Sequence, residues 1–214
     1  MHKSIDSLIS IKKEIQEINP NSKLIVVSKT FGMDKISPII EHGHNHFGEN
    51  KVQEAYEKWS NVKKNNNNIK LHLIGKLQTN KVKYCLPLFD YIHSLDNLKL
   101  AEKISNEQVK KNFKPKIFIQ VNIGEEGQKN GVNQNELIDF YNKIKNHFDL
   151  DIIGLMCIPP FVNDTSPYFV KMKSLSEKMK LSDLSMGMSD DYLDALKYSS
   201  TYVRIGSKIM GKRD

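Results

Sequence analysis

Eight short strand-like runs recur along this chain, and each is followed by a stretch with helical spacing. They lie at 23–28, 44–48, 71–75, 91–94, 116–122, 152–156, 183–186 and 202–205. A run such as Leu24-Ile25-Val26-Val27 is too short for a helix and reads as a strand buried on both faces, as in a parallel sheet. Strands that alternate with helices define an α/β architecture, and a count of eight favours a closed (β/α)8 TIM barrel over an open doubly wound sheet. The 214 residues are expected to form one compact barrel domain spanning 1–214.

The helical stretches can be read in more detail. Residues 4–18 carry Ile5, Leu8, Ile9, Ile11, Ile15 and Ile18 on a helical stripe. Asp34 reads as the cap of a helix with Ile36, Ile39 and Ile40 inward and Pro38 in its first turn. A helix is expected from about Glu49 to Trp59, and the polar run from Ser60 to Lys70 is read as a mobile loop without regular structure. Asp96 reads as another cap, and after the loop Gly124–Gly131 a helix presents Leu137, Ile138, Tyr141 and Ile144.

Composition removes several function classes. No apolar run approaches membrane-spanning length, and the first residues lack the apolar segment of a signal peptide. Cys85 and Cys157 show no metal-ligand spacing, so reduced thiols and a cytoplasmic location are expected, with no metal. The net charge of +7 invites a nucleic-acid reading, but only Arg204 and Arg213 among the 32 basic residues are arginines and the lysines are scattered. Base readers favour bidentate arginine with interleaved aromatics, so no nucleic-acid partner is expected. No GxGxxG or GxxxxGK[ST] follows the first strand, which removes the usual dinucleotide and triphosphate readings.

In a barrel, residues just past each strand converge on one face. Those positions are Lys29, Asn50, His93 with Ser94, Asn122, Met156, Ser189, and Gly206 with Ser207. Taken singly, Asn50 also reads as a helix cap, His93 as a satisfied core histidine and Asn122 as a turn residue. Lys29 follows a buried strand, where an ε-amine serves either as a point charge for an anion or as a nucleophile toward an aldehyde. The last two junctions, Ser185-Met186-Gly187-Met188-Ser189 and Arg204-Ile205-Gly206-Ser207, combine glycine, exposed N–H groups and a serine hydroxyl. Phosphate sites of many (β/α)8 proteins are built from these two loops. An amine on one side and a phosphate cradle on the other suit a phosphorylated aldehyde, and pyridoxal 5′-phosphate fits both ends.

At these residues the sequence resembles the YggS/PROSC family of pyridoxal-phosphate homeostasis proteins, whose barrel is like the amino-terminal domain of alanine racemase. The matching stretches include Val26-Val27-Ser28-Lys29-Thr30, Phe47-Gly48-Glu49-Asn50, His72-Leu73-Ile74-Gly75-Lys76-Leu77-Gln78-Thr79-Asn80-Lys81, Leu184-Ser185-Met186-Gly187-Met188-Ser189 and Val203-Arg204-Ile205-Gly206-Ser207. The resemblance implies a monomeric barrel that holds the cofactor as a Schiff base on Lys29. It places Ser189, Gly206 and Ser207 at the phosphate, Arg204 near the cofactor and Asn50 at the ring. It further implies a part in intracellular vitamin B6 and amino-acid homeostasis, with apo-enzymes that use the same cofactor as acceptors. Lys129 matches a lysine recurrent in the family's loop. Departures are Phe31-Gly32, where many members carry a second lysine followed by proline, Ser207 in place of threonine, and Met210-Gly211 in place of Phe-Gly.

Racemases related by this fold use a lysine and a tyrosine on opposite faces of the cofactor, the tyrosine from a separate carboxyl-terminal domain. The sequence stops at Asp214, just after the eighth strand and its turn, so that domain is not expected. A racemase needs two acid/base groups, and only Lys29 is identifiable. No carboxylate stands out as a partner for the ring nitrogen, which would make the cofactor a weaker electron sink. A carrier is therefore expected rather than an enzyme, with a racemase-like activity as the alternative.

Overall fold

A computed structural model describes residues 3–127 and 130–211. Eight parallel strands close into a barrel in sequence order. They are β1 (Lys23–Val27), β2 (His46–Glu49), β3 (Lys70–Leu73), β4 (Tyr91–Leu95), β5 (Lys116–Val121), β6 (Asp151–Cys157), β7 (Asp183–Ser185) and β8 (Tyr202–Ile205). Closure is made where β1 meets β8, with Leu24 opposite Val203 and Ile25 opposite Arg204. The strand boundaries agree with those read from the sequence to within two residues.

Side chains alternate along each strand, so one set fills the barrel and the other meets the helices. In β1, Ile25 points inward to a small cluster with Tyr91, Phe118, Met156 and Tyr202, while Leu24 and Val26 join the larger core under the helices. The interior also contains His72, His93 and Arg204, all buried.

The helices are α1 (Lys3–Ile18), α2 (Met33–Glu41), α3 (Val52–Asn65), α4 (Val82–Cys85), α5 (Leu98–Lys111), α6 (Leu137–His147), α7 (Ser166–Met179), α8 (Tyr192–Lys197) and α9 (Ser207–Met210). Short 3-10 turns precede α4 and α6. Because α9 is a single turn, it cannot cover β8 by itself. The first helix fills that place: α1 lies against α8, α9 and α2, burying Ile5, Leu8, Ile11 and Ile15, and the Tyr192 hydroxyl donates to the Glu14 carboxylate.

Several local expectations are corrected. Gly32 sits at the cap position before α2, and Asp34 lies inside the first turn without capping it. Pro38 is in the interior of α2, beyond its first turn. The helix α5 is capped by Asn97, whose side chain accepts from the Leu100 N–H at 2.9 Å, rather than by Asp96. In α6 the inward residues are Leu137, Phe140 and Ile144, while Ile138 is exposed. The largest difference is α3, which begins at Val52 and continues through Ser60 to Asn65. Its polar last turns are tied down from outside, since Lys63 Nζ donates to Leu88 O at 2.8 Å and to Asp90 Oδ2 at 2.6 Å.

Candidate functional site

A cavity of about 460 Å3 opens at the carboxyl ends of the strands. Lys29, Asn50, Ser189, Arg204, Gly206 and Ser207 all line it. Val27, Phe31, Ile74, Ile158 and Met188 supply apolar walls, which the strand-end reasoning missed because it looked for polar residues; Phe31 and Met188 lie in loops, and Ile74 and Ile158 follow their strands by one residue.

Lys29 is half-buried on a turn held from both sides. Lys58 Nζ, on α3, donates to Ser28 O at 2.9 Å and Phe31 O at 3.2 Å, and pairs with Glu49 at 2.7 Å and Glu54 at 2.9 Å. The Thr30 N–H donates to Glu54 Oε1 at 2.6 Å, and Thr30 adopts φ +69°, a left-handed conformation costly for a β-branched residue. Burial alone would raise the Glu54 pKa, but the bonds from Thr30 and Lys58 outweigh it and hold the carboxyl below its ordinary value. Glu49 is fully buried and also accepts from Ser28 Oγ at 2.8 Å and Trp59 Nε1 at 3.0 Å. The lysine's backbone is thus set by α3 and β2, with its side chain entering the mouth.

Asn50 sits where the backbone ends of β2 and β3 meet. A Cβ on Gly75 would lie 2.3 Å from Asn50 O, so the close approach requires glycine there. Across the mouth, Gly187 at φ +90° turns the chain after β7, and any Cβ would meet Ala195 Cβ at 2.6 Å. That turn brings Ser189 beside Ser207, whose hydroxyl donates to Ser189 Oγ at 3.1 Å. The Asp191 carboxylate accepts from the Met188 N–H at 2.6 Å and braces the same loop.

Arg204 forms the floor. It is 4% exposed, donating through Nη1 to Ser185 Oγ at 2.6 Å and through Nη2 to Cys157 O at 2.9 Å. Burial lowers its pKa, against the raising influence of Cys157 and Asp191. Among the described residues no carboxylate stands within ion-pair distance of it.

Four expected mouth residues do not reach the cavity. His93 lies inside the barrel, hydrogen-bonded to His72 and Ser185, and Met156 packs in the interior cluster. Ser94 is buried, and Asn122 bridges to the backbone of Glu126, holding the loop after β5. Lys129 lies outside the described residues.

The donor set fits a phosphorylated aromatic aldehyde. It offers an amine on one wall, paired hydroxyls and an open helical turn on the other, apolar side chains between them, and a buried cation beneath. Residues 8–214 match the family described as the amino-terminal domain of alanine racemase. The chain belongs to this family. It is 39% identical over 203 residues to a pyridoxal phosphate homeostasis protein of Pasteurella multocida, covering 90% of this chain and 87% of that one. The solved structure of PipY from Synechococcus elongatus PCC7942, with PLP bound, superimposes with a TM-score of 0.88 at 29% identity, covering 97% of this chain and all of that one. An alanine racemase of Clostridium difficile gives a TM-score of 0.75 at 13% identity over 98% of this chain and 56% of that one, a likeness of fold alone.

Proposed function

We propose that this member of the family binds pyridoxal 5′-phosphate across the barrel mouth and serves intracellular vitamin B6 and amino-acid homeostasis as a carrier. The observation that carries the reading is the convergence of Lys29, Arg204 and the paired Ser189 and Ser207 on one cavity, in a chain whose relatives bear that homeostasis name. When bound, the cofactor supplies an aldehyde that an unprotonated amine can attack, losing water to form a covalent link. Lys29 would hold that carbon, Ser189, Ser207 and the Gly206 backbone the phosphate, and Asn50 and Arg204 the ring. Other proteins that need the cofactor would be its acceptors.

The mouth offers little for turnover. Besides Arg204, the titratable residues lining it are Lys29 and Asp190, and among the described residues no tyrosine or histidine lines it. Removing and returning a proton on opposite faces of a substrate needs two placed acid/base groups. Arg204 only donates hydrogen bonds and keeps its proton, so it would not deliver one to the ring.

Borohydride reduction of protein incubated with pyridoxal phosphate, followed by peptide mass spectrometry, should place the adduct on Lys29, and Lys29→Ala should abolish it. An adduct elsewhere, or none in the parent protein, refutes the assignment. Alanine racemisation above that of free cofactor, lost in Lys29→Ala, would establish the enzyme reading instead.

A further inference from the structure

Below the floor of the mouth, hydrogen bonds link five side chains in single file through the barrel. Arg204 Nη1 donates to Ser185 Oγ at 2.6 Å, and Ser185 Oγ meets His93 Nδ1 at 2.9 Å. His93 Nε2 meets His72 Nδ1 at 2.9 Å, and His72 Nε2 meets His46 Nδ1 at 2.8 Å. His72 and His93 are wholly buried, stacked on Tyr91 and Phe118 respectively, while His46 is half-buried at the amino-terminal end of the barrel.

Each imidazole nitrogen in this file must be either a donor or an acceptor, and one end is not free to choose. A guanidinium has no acceptor, so Ser185 Oγ must accept from Arg204. The serine proton then needs its own acceptor, and among the described residues the partner that can accept it is His93 Nδ1. With Nδ1 accepting, a neutral His93 carries its proton on Nε2 and donates to His72. His72 in turn donates from Nε2 to His46. The reverse order would aim two donors at Ser185 Oγ and strand the serine proton.

We propose that Arg204 polarises Ser185, His93, His72 and His46 into one directed chain, every neutral histidine protonated on Nε2, and that this chain replaces the missing carboxylate as the partner of the buried guanidinium. Aligned in this way, the hydroxyl and three imidazoles turn their negative ends toward Arg204. Dipoles stabilise the cation without cancelling its charge, which a carboxylate would do. Two of the five guanidinium N–H groups are used by Ser185 and Cys157 O, so the mouth keeps a full positive charge and spare donors for an anionic ligand. His93, His72 and Ser185 are positioning residues in this scheme, since none lines the cavity.

The surroundings keep the chain neutral. Burial first, then the charges of His93 and His46 and of Lys23, holds His72 well below its ordinary pKa, and burial with Arg204 does the same for His93. Toward His46 face Lys23 and Lys70, which disfavour its proton, and Asp90, which favours it.

The ligand consequence rests on the cofactor reading above, but the tautomers do not. Long-range 15N–1H spectra of histidine-labelled protein without ligand should show His46, His72 and His93 as Nε2–H tautomers at neutral pH. Ser185→Ala cuts the file next to Arg204 and should return His93 to a mixture, while Ser185→Thr, which keeps the hydroxyl, should restore the parent spectrum. An Nδ1–H tautomer in the parent protein, or unchanged spectra in Ser185→Ala, overturns the proposal. In the same variants, affinity for pyridoxal phosphate should fall about tenfold in Ser185→Ala and recover in Ser185→Thr, the size expected for one charge-assisted bond. Unchanged affinity in Ser185→Ala refutes the link to the mouth. If the parent protein binds no pyridoxal phosphate, the cofactor reading fails by itself and the spectra still decide the chain.

Discussion

Lys58 looks like an ordinary helix-surface lysine in the sequence, yet its ammonium joins Ser28 O, Phe31 O, Glu49 and Glu54 around the turn that carries Lys29. Replacing it leaves Glu49 buried without its cation, so Lys58→Met should cost about 3–5 kcal/mol in chemical denaturation, as removal of one partner of a buried pair does. A loss below about 1 kcal/mol would show that the pair is effectively solvated. Gly75→Ala sets a methyl 2.3 Å from Asn50 O and should displace that residue from the mouth. Weaker pyridoxal phosphate binding at a stability loss of about 1–3 kcal/mol is the expected result, and parent-like binding would remove Asn50 from the site. Legibility at this scale followed strand ends. Lys29, Asn50 and the two phosphate-type loops lie beyond the last strand residue and converge, but β4 runs on to Leu95, which leaves His93 beneath the rim. Where a strand stops by two residues decides whether a side chain reaches the mouth or the interior.

Among the elements, strands were read well because most buried parallel strands here, β1, β5 and β6 above all, are local apolar runs. Helix ends were read less well. Asp96 and Asn97 are both good caps by type, and only the backbone path selects Asn97. Asn97→Ala should therefore destabilise by about 1 kcal/mol, with Asp96→Ala nearer neutral. Equal losses from the two would place the cap elsewhere. The end of α3 was illegible for a different reason, since its polar last turns are held by Asp90 on another part of the chain. At the seam, α1 takes the position that the one-turn α9 cannot fill. Leu8 is fully buried there, and Leu8→Ala should cost about 2–5 kcal/mol, read from the denaturation midpoint.

For the molecule as a whole, the buried histidines make stability depend on pH. Burial, then Lys12, takes His44 down to about 3, and burial, then Lys23, takes His46 down to about 4. In the unfolded chain both titrate near about 6.5, so between that value and the folded one the unfolded state binds more protons. Their contribution is complete above about pH 6.5 and is lost as the pH falls toward those lower values, at about 1.4 kcal/mol per pH unit for each histidine. Denaturation midpoints should fall between about pH 7 and about pH 5, and constancy over that range would mean the histidines titrate normally in the fold.

The sequence by itself determined the barrel and five of the residues at its mouth, Lys29, Asn50, Ser189, Gly206 and Ser207, because each stands just beyond a strand, whereas Arg204 lies within β8 and was placed only by the family resemblance. It could not show the turn held by Lys58 or the histidine file under Arg204. Those partners stand 27 to 92 residues apart for Lys58 with Phe31 and for His93 with Ser185, on strands and helices that meet only when the barrel closes. A histidine's hydrogen-bond role is set by its neighbour, and tertiary structure alone chose the neighbours.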